Sequence, residues 1–153
     1  MVKRIHRDFA PVVVKSIPDL PPFFSALTFF TDIFFIVFDN IRRHSGIPQE
    51  PHVEVNVTDL VDRVRVVVRS EIAPHVKTQE TQTKVDHIRE SIAQGLYQRA
   101  VRLEGGTGLI KLCKILAKDP QSEKRLSFGF ENESFCVDFL VPVRRSDNEN
   151  TSG

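Results

Sequence analysis

The stretch Glu104-Gly105-Gly106-Thr107-Gly108-Leu109-Ile110 runs directly into an apolar-periodic segment, Lys111 to Lys118. Glycine lets a backbone take positive φ and approach a ligand closely. The start of a helix offers unpaired N–H groups and the positive end of a dipole. Together they suit an anion, most often a phosphate. The same residues would also serve as a plain loop before a helix, since short glycine motifs are common. No Gly-Lys-Ser/Thr follows, and the GxGxxG spacing is absent, so neither the P-loop nor the dinucleotide fingerprint is present.

A second stretch lies upstream: Phe38-Asp39-Asn40-Ile41-Arg42-Arg43-His44-Ser45, at the end of an apolar run. An asparagine at a helix end, a basic residue three positions on and then His-Ser resemble the asparagine box of the GHKL nucleotide-binding superfamily. That superfamily includes the ATP-binding domains of sensor histidine kinases, gyrase and mismatch-repair ATPases. Gly105 to Leu109 is similar to its second glycine box, and the resemblance spans roughly Val12 to Val143. It implies a Bergerat-type α/β (α+β) two-layer sandwich, with a mixed, mainly antiparallel sheet and helices on one face. It also implies ATP or ADP with Mg²⁺. Asn40 would give the metal an oxygen, Arg43 or Arg42 would neutralise phosphate, and Gly105, Gly106, Thr107, Gly108 and Leu109 would present backbone N–H groups. A hard cation keeps several waters, so one side-chain ligand can suffice. Judged on residue type alone, Asn40 serves equally as a helix C-cap and Arg43 as part of a solvated basic patch.

The pattern is incomplete. The superfamily's first glycine box, Asp-x-Gly-x-Gly, reads adenine through its aspartate. Here Ser70 and Glu71 stand at the matching place, with Ala73 and Pro74 where glycines belong. Losing a buried hydrogen bond costs about 1–3 kcal/mol, a five- to hundred-fold weakening, unless Ser70 or Glu71 substitutes. Hydrolysing members carry a carboxylate one helical turn before the metal asparagine. Ile36 occupies that position and cannot accept a proton. The third glycine of the second box is Ile110. No histidine sits in a phosphoacceptor context, and a chain beginning at the first strand leaves no room for a dimerising hairpin. The resemblance therefore implies a degenerate histidine-kinase-like nucleotide-binding domain, a sensor or regulatory module of a longer protein, without catalysis of its own. The alternatives are a protein–protein interaction domain that has lost ATP and an active histidine-kinase catalytic fragment.

The elements that must position these residues follow from periodicity. The chain has 153 residues, 41% apolar and 27% charged, with net charge +1. This is one soluble globular domain, expected over 1–144, with a disordered charged tail over 145–153. The balanced charge offers no draw toward nucleic acid or anionic membrane. Cys113 and Cys136 lie in apolar patterns and read as buried thiols. Charged residues break up any N-terminal leader, so a cytoplasmic setting is expected. Phe9–Ile17 reads as a strand around Val12 to Val14. Residues 26–44 read as a helix, apolar nearly all round over Leu27–Phe38 but too short to span a membrane. Its Ile33, Val37, Asn40 and Ile41 face would pack on the sheet. Phe24, Phe35 and Phe38 would then meet a second copy or a missing upstream segment. Val53, Val55 and Val57 alternate with polar residues, as do Val64, Val66 and Val68, which predicts a half-buried hairpin. Val85, Ile88 and Ile92 predict an amphipathic helix to about Gln94, in the position of the superfamily's ATP lid. Leu109, Leu112, Ile115 and Leu116 predict a helix on the sheet. Arg125–Phe130 and Phe135–Val143 predict a closing hairpin.

Overall fold

The computed structural model describes residues 8–19, 27–95, 107–116 and 125–143. Within them run strand β1 (Val12–Ser16), helix α1 (Leu27–His44), strands β2 (His52–Asp59) and β3 (Arg63–Glu71), helix α2 (Gln79–Ala93), helix α3 (Thr107–Leu116) and strands β4 (Leu126–Glu131) and β5 (Ser134–Pro142). A 3-10 turn, Pro74–Val76, precedes α2. The expected tail from residue 145 lies outside the described residues.

The strands form one five-stranded sheet in the order β1-β2-β3-β5-β4. β1 pairs with β2 in parallel, and the other neighbours are antiparallel. The expected two-layer α+β sandwich with a mixed sheet is what the chain adopts. Alternation decides the layering, because successive strand residues point to opposite faces. On β3, Val64, Val66, Val68 and Ser70 are buried against the helices. Arg65 and Arg69 stand on the other face and pair across the sheet with Asp138 and with Glu131, the latter at 3.2 Å. That face is solvated, as an antiparallel sheet permits, and such exposed pairs add little stability.

The core lies between the sheet and the helices. Ile33, Val37 and Ile41 enter from α1, Val85 and Ile88 from α2, and Leu109, Ile110, Leu112 and Leu116 from α3. They meet Val53, Val55, Val64, Val66, Val68, Val137, Phe139 and Val141. Ile110, which stands where the superfamily's third glycine would be, is 0% exposed. Its side chain fills the core, so the departure from the glycine pattern has a packing role. Both cysteines are buried and neither forms a disulfide, and burial pushes the Cys136 thiol up to about 11, so it stays protonated at neutral pH.

Candidate functional site

Helix α1 ends where the sheet meets the 3-10 turn, and that junction orients its last polar residues. Gly46 takes φ +72°, and a Cβ there would come within 2.6 Å of Val76 Cγ2. Only glycine lets the chain turn this closely against the 3-10 turn. The Ser45 carbonyl accepts from Ala73 N at 2.7 Å, and the Ser45 hydroxyl accepts from Ile47 N at 3.1 Å. The helix end is thereby tied to the segment that follows β3. Asn40 and His44 then stand one helical turn apart and border the same cavity as Ser70 and Ile72.

The N-terminal turn of α3 meets the same place. A Cβ built on Gly108 would lie 2.7 Å from Asn40 Cγ, closer than real Cβ atoms approach. Gly108 is therefore required by the approach of α1 and α3. Among the described residues, Asn40 Nδ2 is buried and has no hydrogen-bond partner, a cost of about 1–3 kcal/mol when nothing satisfies it. Gly105 and Gly106 lie outside the described residues. The backbone of Thr107 opens the helix.

Helix α2 closes the remaining side. Thr78 caps it: its hydroxyl accepts from Thr81 N, and the Thr81 hydroxyl accepts from Thr78 N in return. Such a reciprocal box pins the first turn. Arg89 anchors the helix to β4, donating from Nε to Phe128 O at 2.9 Å, with its guanidinium 5.8 Å from the centre of the Phe128 ring. Lys77 Nζ donates to Asn132 O at 2.7 Å. The helix in the expected lid position is thus packed on the sheet, with Val85 and Ile88 buried beneath it.

These elements enclose a cavity of about 440 Å³. Asn40, Ser70 and Leu109, all expected at a site, line it together with His44, Ser45, Val68, Ile72, Phe130, Phe135 and Val137. From α2 come Thr81, Thr83, Lys84, Val85, His87 and Ile88. Neither these α2 residues nor the strand residues Val68, Phe130, Phe135 and Val137 were expected at a site from sequence. The helical period of Val85 and Ile88 was the one available signal, and it indicates a buried face without saying what that face covers. No Asp or Glu lines the cavity among the described residues, nor is there any cluster of His, Cys, Asp or Glu able to hold a metal by itself.

Two expected residues point elsewhere. Glu71 follows Ser70 on the strand, so its side chain takes the opposite face, where its carboxylate accepts from His52 N at 3.2 Å. Arg43 is 60% exposed and pairs with Asp39 at 2.8 Å; Arg42 pairs with the same carboxylate at 2.9 Å. Burial works to raise the Asp39 pKa, but the Arg42 hydrogen bond and the charges of Arg43 and Arg42 outweigh it and hold the carboxyl below its usual value. His44 shifts down, chiefly because burial disfavours its cation and secondly because Arg43 repels it.

The other expected surface is the outer side of α1. Phe24 lies outside the described residues. Phe38 is half-buried against the core and tilts onto Phe34 at 6.5 Å. Phe35 borders a groove of about 370 Å³ with Asp32, Ile36, Lys111, Lys114 and Ile115. Ile36 thus sits outside the main cavity.

A family profile described as "y4jQ C-terminal putative histidine kinase domain" matches residues 1–141. The chain belongs to that family. No curated protein matches it. A nucleotide-free form of the catalytic domain of histidine kinase ThkA is similar at TM-score 0.58 and 14% identity, covering 92% of this chain and 86% of that one. Another nucleotide-free form of ThkA is similar at TM-score 0.56 and 16% identity, over 92% and 87%. The mycobacterial sensor histidine kinase MprB follows at TM-score 0.51 and 14% identity, over 94% and 90%. At these identities the solved structures speak for the fold: this histidine-kinase-like domain has the architecture of a kinase catalytic domain. No described helix is long and apolar enough to cross a membrane.

Proposed function

We propose that the cavity binds a purine nucleotide, ATP or ADP with Mg²⁺, and that the domain acts as a sensor or regulatory module in the cytoplasm rather than as a free enzyme. The carrying observation is the meeting of Asn40 and Gly108, with the Asn40 amide nitrogen buried at the cavity wall and without a partner among the described residues. A buried donor needs an acceptor, and a phosphate oxygen supplies one. Turned over, the same amide offers Oδ1, an oxygen ligand of the kind Mg²⁺ takes alongside waters. The metal, when bound, would offset phosphate charge beside Asn40. The N-terminal turn of α3, from Thr107 through Gly108 and Leu109 with Gly105 and Gly106 before it, would present N–H groups to the phosphates. The apolar floor and Ser70 would take the base. Arg43, at the rim and engaged with Asp39, would act at longer range, and Glu71 would stand outside the pocket. The aliphatic Ile36 argues against hydrolysis by the chain alone, since it cannot take a proton from water.

Thermal melting tests the reading. A ligand at a hundred times its Kd adds about 2.7 kcal/mol to the folded state, which is several degrees in Tm. Millimolar ATP with Mg²⁺ should raise the melt, and Asn40→Ala should remove most of the rise. No rise at any concentration would favour the second reading, an interaction domain without nucleotide. That reading draws on the groove beside Phe35, where a second copy or an upstream segment would sit.

A further inference from the structure

The cavity floor carries one loosely held hydroxyl. Ser70 is 3% exposed and faces the helices. Its Oγ donates to Phe135 O at 3.4 Å, near the long limit of a hydrogen bond. The other hydroxyls around the cavity are held more firmly. Thr81 Oγ1 donates to Val76 O at 2.6 Å, Thr83 Oγ1 to Gln79 O at 2.8 Å, and Ser45 Oγ both donates to and accepts from Ile47. A hydroxyl has one donor and two acceptor lone pairs, and it rotates. Aimed at Phe135 O, Ser70 offers lone pairs to a ligand N–H. Turned into the cavity, it donates to a ligand carbonyl at the cost of one weak bond. A carboxylate could do only the first, and none lines the cavity among the described residues. The neighbouring Val68, Ile72, Phe135 and Val137 can cover the flat faces of a ring without reading its edge.

Building on the nucleotide reading above, we infer that Ser70 reads the base and that it does so without distinguishing a 6-amino from a 6-oxo purine. The cavity accepts guanine and hypoxanthine nucleotides as well as adenine nucleotides. Strong discrimination arises when the wrong ligand leaves a buried polar group unpaired. A rotating hydroxyl is paired in both complexes, so that penalty is absent.

The test is calorimetric titration of the full chain with ADP, GDP and IDP in the presence of Mg²⁺. The three should bind with Kd values within about tenfold of one another. Ser70→Asp, an acceptor alone, should move the ADP-to-GDP preference toward ADP by about tenfold or more. Ser70→Thr should keep the wild-type ratio, and Ser70→Ala should weaken all three by a similar factor. A wild-type preference for ADP beyond about a hundredfold, or an unchanged ratio in a folded Ser70→Asp, overturns the inference and leaves nucleotide binding standing. Failure of all three nucleotides to bind overturns both. The wild-type comparison needs no variant, so it decides the matter even where Ser70→Asp does not fold.

Discussion

The two ends of the cavity solve different problems. At the α1–α3 end a polar amide is pressed against a glycine, and its nitrogen has no partner among the described residues. At the β3 end the single polar group, Ser70, already has a partner in the chain itself, and apolar side chains surround it. One end leaves a buried donor unsatisfied by the described residues. The other is complete without a ligand atom. The contrast teaches that the two ends can vary independently, because they are built by separate elements; under the proposed nucleotide reading the first would face the phosphates and the second the base. Packing of α1 on α3 sets the first, and the last residues of β3 set the second.

Substitutions can break or sharpen that contrast. The largest effect is expected at Ile110, where the structure puts a fully buried side chain behind the α1–α3 end. Ile110→Ala should cost about 2–5 kcal/mol in chemical denaturation, whereas a ligand-binding role without core packing would leave stability near wild type. Gly108→Ala comes next. Its Cβ would collide with the Asn40 amide, and overpacking of this kind costs about 1–3 kcal/mol. Combining it with Asn40→Ala should recover most of the loss, and a double-mutant cycle measures the coupling. An additive pair would show that the two residues do not touch.

Arg89→Ala tests the α2 wall between the two ends. It removes the bond to Phe128 O and the ion pair with Asp86 at 2.7 Å. The pair is half-exposed, so a loss of about 1 kcal/mol is expected, with faster amide exchange confined to α2. The smallest effect concerns pH. The His44 pKa is lowered in the folded state, so the unfolded chain binds the proton more readily. Stability from this residue is full above its ordinary pKa of 6.5 and falls as pH drops through that value toward the folded pKa. His44→Gln should flatten the Tm-against-pH curve below neutrality, and NMR titration should place His44 below a model histidine. A curve unchanged by the substitution would remove His44 from the account.

Much of the fold was legible because the relevant forces are periodic. Alternating valines marked β2 and β3, and the three-to-four spacing of Ile33, Val37 and Ile41 marked the inner face of α1. Asn40 and the glycine loop were legible as motifs. The role of Ile110 was not: in sequence it is a missing glycine, and in space it is core. The choice between Ser70 and Glu71 was left open as a motif match, yet strand parity carried the answer: Ser70 shares the face of Val64, Val66 and Val68, and Glu71 takes the other.

What the chain's order of residues determined alone is local. Side-chain period and turn chemistry set where strands and helices run and which of their faces are apolar. Tertiary structure decided which of those faces meet. It brought Asn40 against Gly108 and turned α2 into a wall. Those outcomes depend on contacts between residues far apart in the chain, and they are set by the packing of whole faces rather than by the residue types at any one position.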